Sequence, residues 1–193
     1  MAVAALLLTG CSQVGAAATL GDVKITQATV QGSVDSILAE RAKVDTTQMQ
    51  LETGEALNRG QLRFHLYSAL LRAIGEEIKI DVTKAEIDTR RANILEQVGG
   101  AESLPAELVN AGIAPGDLDQ YIELIAFSEK ISQALAASGV AEDQIGVELQ
   151  KLVAAKANEL GVTINPRYGT WNAEVADIVE TDPASSAVNP SGN

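Results

Sequence analysis

The sequence is poor in the residues that build most reactive sites. It holds one cysteine, one histidine, two Phe, three Tyr and one Trp in 193 residues. A single cysteine excludes an internal disulfide, so the fold has to stand on packing. A single histidine, His65, excludes any multi-histidine metal cluster, and neither a metal nor a cofactor is expected. Aromatic residues make up 3% of the chain, so its core must be aliphatic. Ala, Leu, Ile and Val supply that core, a composition that suits helices better than a β-sandwich. Basic residues are scarce as well, 14 against 26 acidic ones, for a formal net charge of −12. No Lys/Arg stripe is present to neutralise phosphates, which argues against nucleic acid as a partner. Long apolar runs are also missing: the longest, MAVAALLL at the amino terminus, falls far short of the roughly 20 residues that span a bilayer.

What is there begins at that amino terminus. The apolar run is followed by Thr9-Gly10-Cys11-Ser12, small residues placed like the cleavage zone of an export signal. Leu8-Thr9-Gly10-Cys11 resembles a bacterial lipobox. The resemblance implies cleavage before Cys11 and lipid attached to its sulfur, so residues 1–10 are expected to be a signal peptide and 11–18 a flexible tether. No Lys or Arg precedes the apolar run, as a signal peptide's charged start would require; the expectation is that the true start lies upstream.

The body, residues 19–172, reads as mainly helical. Thr19 to Ile25 forms a short hairpin around Gly21-Asp22. Thr26 caps a first helix to about Lys43, with Val30, Val34, Ile37 and Leu38 at helical spacing. Asp45 to Gly54 is a polar loop. A second helix, from about Asn58 to Ile80, carries Leu62, Leu66, Leu70 and Ile74 on one face. Leu71 and Ile78 widen that face, which predicts a central position. Thr83 and Glu86 have the spacing of a capping box, flanked by Val82 and Ile87 at staple positions. A third helix then carries Ile87, Ile94, Leu95 and Val98 and stops at Gly99-Gly100. A short helix spans Pro105 to Asn110. Pro115 opens a longer one to about Ala137 with Leu118, Ile122, Ile125, Ile131 and Leu135 inward. After a break at Ser138 to Ala141, a last helix uses Ile145, Leu149, Leu152, Val153 and Leu160. Val162 to Ile164 is long enough for one strand, which could pair with the amino-terminal hairpin and join the two ends of the body. Residues 173–193, acidic from Glu174 onward and without a basic side chain, read as a disordered tail.

Chemistry-bearing residues are few. His65 reads as a solvated or hydrogen-bonded histidine, and a Cys-His nucleophile would need Cys11. Glu76-Glu77 and Asp117-x-Asp119 are candidate paired carboxylates. Adjacent helical positions do not face each other, however, and Asp117, Asp119 and Asp143 suit first turns of helices. Arg41, Arg59, Arg63, Arg72, Arg90 and Arg91 read as scattered surface. Tyr168 and Trp171 would either cap the core or grip extended peptide, with packing the expectation.

The order of elements resembles the amino-terminal core of SurA-type periplasmic chaperones, which PrsA-type foldase lipoproteins share. The residues that carry the resemblance are Gly21-Asp22-Val23-Lys24-Ile25-Thr26, the run from Leu70-Leu71 to Ile80, and Val82-Thr83-Lys84-Ala85-Glu86-Ile87-Asp88. Asp119 to Leu135 resembles the helix preceding the isomerase domain, and Asn165-Pro166-Arg167-Tyr168-Gly169-Thr170-Trp171 the closing segment of actinobacterial lipoproteins with this core. Those families insert parvulin-type prolyl isomerase domains between the long and the closing helix. Here that gap is Ser138 to Ala141, whereas a domain needs at least roughly 50 residues. The resemblance therefore implies a chaperone or assembly factor, not an enzyme, on the extracytoplasmic face of the cell membrane. It would be lipid-anchored through Cys11 and would bind unfolded or partly folded exported polypeptides. A module dedicated to one envelope protein is the alternative, and a prolyl isomerase a third.

Overall fold

The computed structural model describes residues 14–180. Cys11, its lipid and the preceding signal segment lie outside the described residues. Within them the chain is mainly helical: six α-helices with a small antiparallel sheet and a separate hairpin. None of the described helices is long and apolar enough to cross a membrane.

The centre is α2 (Gly54–Glu77), at 24 residues about 36 Å long. Leu62, Leu66 and Leu70 are fully buried on one face, with Leu71 and Ile74 beside them. Each such side chain contributes about 1.5–3 kcal/mol through burial. Around this rod pack α1 (Gln27–Arg41), α5 (Leu118–Ala137) and α6 (Ile145–Glu159). The crossing of α2 and α5 is close because Gly75 has no side chain: a Cβ there would stand 2.5 Å from the Phe127 ring. Thr26 caps α1, its Oγ1 accepting from the Thr29 N–H at 3.0 Å. Leu38 and Ile78, expected inward, are 48% and 45% exposed, and Leu152 is also exposed. Each lies at the edge of its helix's apolar stripe, where packing ends.

Helix α3 (Lys84–Gln97) is joined differently, since no residue of it is fully buried. Thr83 Oγ1 accepts from the Glu86 N–H at 3.3 Å, one half of the expected capping box. The other half is not made: the Glu86 carboxylate instead takes Lys130 of α5 at 2.7 Å. Arg90–Glu129 and Arg91–Asp119 bridge the same two helices. Ile87 and Ile94 add a satellite cluster with Leu108 of α4 (Leu104–Ala111) and Leu118 and Ile122 of α5.

The two ends of the body meet in a sheet ordered β2-β1-β3: β1 Ala16–Leu20, β2 Val23–Thr26 and β3 Thr163–Ile164. Ala18 pairs with Ile25 on one side and Ile164 on the other. This pairing corrects the tether expected over residues 11–18: Ala16–Ala18 are buried, Ala17 completely. A run of alanines looks like a linker by composition. Flanked by two strands and backed by helices, its small side chains let the sheet pack closely.

A second correction concerns the segment expected to be a tail from residue 173. β4 (Thr170–Asn172) pairs with β5 (Asp177–Val179), and Ile178 is 1% exposed in the main core. Two of the acidic residues that made this stretch look disordered have partners on α2, Asp177 with Arg63 at 2.5 Å and Glu180 with Arg59. The hairpin depends on Gly169, whose φ is +121° and where a Cβ would fall 2.2 Å from the Val179 carbonyl oxygen. The folded body thus runs from Ala16 to Val179.

Candidate functional site

Two places combine unusual chemistry with geometry. The first is a polar knot where α1, α2 and the 3₁₀ turn Pro115–Asp117 meet. Ser33 Oγ lies 2.6 Å from Asp117 Oδ2 and 2.9 Å from His65 Nε2. The serine has one proton, and the shorter contact to a carboxylate takes it. His65 Nε2 must then carry a hydrogen and donate to Ser33. The relay runs His65 to Ser33 to Asp117, the reverse of an activated serine, whose proton must move toward histidine. Burial lowers the His65 pKa below its usual value, against the opposing pull of the Asp117 charge and a hydrogen bond with Gln120. The imidazole is therefore neutral at pH 7, and at 5% exposure it faces protein, not solvent. This arrangement ties three elements together.

The second place is a cleft of about 390 Å³ between α2, α4 and the loop joining α1 to α2. Positions 57, 60, 64 and 67 of α2, Leu57, Gly60, Phe64 and Tyr67, form a second stripe along this flank. Leu51 of the loop, Val109 and Ile113 around α4, and Tyr121 and Leu124 of α5 complete the walls. Half of the chain's few aromatic residues, Phe64, Tyr67 and Tyr121, are gathered here. Such concentration in a protein short of aromatics marks the cleft as more than a packing fault, because ring faces supply large contact area with few rotatable bonds. Polar groups stand at its margin. Gln61 Nε2 donates to the Gly112 carbonyl at 2.9 Å, and Tyr67 donates to the Ala176 carbonyl. Arg41 Nη1 donates to the Glu52 carbonyl at 2.7 Å, while its buried Nε has no partner.

The residues singled out in the sequence fall elsewhere or into other roles. Glu76 is exposed, and Glu77 pairs with Lys156 of α6. Asp117 sits in the polar knot and Asp119 pairs with Arg91, so the two carboxylates are not directed at a common point. Asp143 is exposed in a 3₁₀ turn before α6. The arginines expected to be plain surface bridge elements: Arg59, Arg63, Arg72, Arg90 and Arg91 each meet a carboxylate from a distant part of the chain. Tyr168 is buried, and Trp171 packs on the core with its indole N–H unpartnered. Ser33 and the stripe at 57, 60, 64 and 67 have no place in the sequence reading, and Arg41, read there as scattered surface, lines the cleft. The stripe was visible as a second helical period in α2; Ser33 and Arg41 carried no local signal.

Among the described residues no group of three or more His, Cys, Asp or Glu side chains is arranged to hold a metal ion. Compared with protein-family models, curated proteins and solved structures, the chain matches none.

Proposed function

We propose that this protein is a non-enzymatic chaperone or assembly factor. It binds apolar stretches of unfolded or partly folded exported polypeptides and is held on the extracytoplasmic face of the cell membrane by lipid on Cys11. The observation that carries this reading is the aromatic-walled cleft beside α2. An open, mostly apolar cavity favours side chains by burial and asks little of their sequence. The order of the elements supports it too, since it follows the order expected of a SurA-type core. The link between α5 and α6 is Ser138 to Ala141 and one 3₁₀ turn, which leaves no room for an inserted isomerase domain and favours a binding role.

The test is fluorescence anisotropy of a labelled unfolded polypeptide titrated with the fragment Ser12 to Asn193. Micromolar binding to several unrelated unfolded chains is expected. No binding to any of them would overturn the chaperone reading and turn attention to a single dedicated envelope partner, to be sought as one stoichiometric protein in a pull-down.

A further inference from the structure

We infer that the cleft beside α2 also binds a small amphipathic carboxylate: one apolar tail ending in one carboxylate, as in a fatty acid. The inference uses the same cavity as the chaperone reading but goes beyond it and stands without it.

Volume comes first. About 390 Å³ lies at the small end of the range of roughly 300–1,000 Å³ typical of ligand pockets, a size for one small molecule and not for a docked helix. Leu51, Leu57, Phe64, Val109, Ile113 and Leu124 make the interior apolar, which suits a hydrocarbon tail.

Charge comes second. Arg41 lines the cleft from the last turn of α1. Among the described residues no carboxylate stands within ion-pair distance of it, although the chain has 26 acidic residues against 14 basic ones. The arginines at 59, 63, 72, 90 and 91 have all found one. The carbonyl end of α1 offers Arg41 only partial negative charge. Glu52 also lines the cleft, but its carboxylate lies toward Gly60 and not within ion-pair distance of Arg41, and Arg167, the remaining arginine, lies over the Tyr168 ring. A ligand carboxylate at the Arg41 edge would supply the missing charge to the guanidinium while the tail fills the cavity. A neutral analogue of the same length would fill the cavity and leave Arg41 as it is.

The experiment is isothermal titration calorimetry of the full chain with lauric acid and with 1-dodecanol, both kept monomeric. One site per chain is expected, with lauric acid bound about tenfold or more tightly than the alcohol, as a charge-assisted hydrogen bond predicts. Arg41→Gln should bring the two ligands to near-equal affinity. Gly60→Leu should abolish binding of both by filling the cleft. A Cβ at Gly60 meets only the mobile end of Glu52, and leucine suits a helix better than glycine, so this variant should fold. Thermal melts check both variants. Equal affinity of the unaltered chain for acid and alcohol would overturn the inference. So would a preference for the acid that survives Arg41→Gln, or binding unchanged in Gly60→Leu, which would put the ligand elsewhere, the apolar Met1–Leu8 run included. Binding of lauric acid without binding of unfolded polypeptides would sink the chaperone reading alone, and the converse would sink this one alone.

Discussion

His65 sits on the central helix with its ring against Ser33 and its charge state set by burial. Because its pKa is lower in the folded chain than in the unfolded one, the unfolded chain takes up a proton first as pH falls. The stability linked to this group is therefore fully present above about pH 6.5 and is lost as pH drops toward the folded value. The midpoint of thermal unfolding should fall between pH 7 and pH 5.5, and His65→Gln should flatten that slope. An unchanged slope in the variant would assign the pH dependence to other groups. Sequence could not have located this residue's role: it stands one position from Leu66, its partner Ser33 is 32 residues away, and Ser33 in turn reaches Asp117 across 84 residues. Cys11 is the opposite case. Its proposed role rests wholly on neighbours in sequence, and the described fold begins after it.

At the level of elements, α2 and α3 are held by different forces. Helix α2 buries leucines on one face and carries half-buried aromatics along a second stripe. Helix α3 buries nothing completely and relies on Lys130–Glu86, Arg90–Glu129 and Arg91–Asp119 to stay on α5. Exposed ion pairs contribute about 0–1 kcal/mol each and weaken with salt, whereas apolar burial does not. Amide hydrogens of α3 should exchange well before those of α2, and raising salt to about 1 M should widen the gap. Equal protection in both helices would show that α3 is tied down by its half-buried Ile87 and Ile94 instead. The expected capping box illustrates the same competition. Glu86 has the right spacing to reach back to its own helix start, but a lysine on a neighbouring helix offers its carboxylate a full charge.

For the molecule as a whole, the first and last described segments are structural parts of one body. Strand β1 is the middle strand of its sheet, and the closing hairpin buries Ile178 against the same core that α2 fills. A chain beginning at Thr19 would lose Ala16–Ala18 and with them half of the pairing between β1 and its neighbours. Its urea midpoint should drop sharply compared with a chain beginning at Val14, which keeps the strand. Similar midpoints for the two would restore Ala16–Ala18 to a tether. The cleft is likewise a property of the whole, since its walls come from α2, α4, α5 and the α1–α2 loop, brought together only when the bundle closes.

The sequence by itself determined the helices, their order, the caps at Thr26 and Thr83, and the meeting of the amino-terminal hairpin with the strand after the last helix. Those features follow from periodicity, turn chemistry and capping, which act over a few residues. Tertiary structure alone decided that an alanine run becomes a central strand and an acidic end becomes half of a buried hairpin. It also decided that one serine, one histidine and one aspartate form a relay, and that Arg41 lines a cavity with no carboxylate paired to it. Each of these depends on partners far away in the chain. Composition records what a side chain could pair with, while only packing brings that partner near or leaves its place empty.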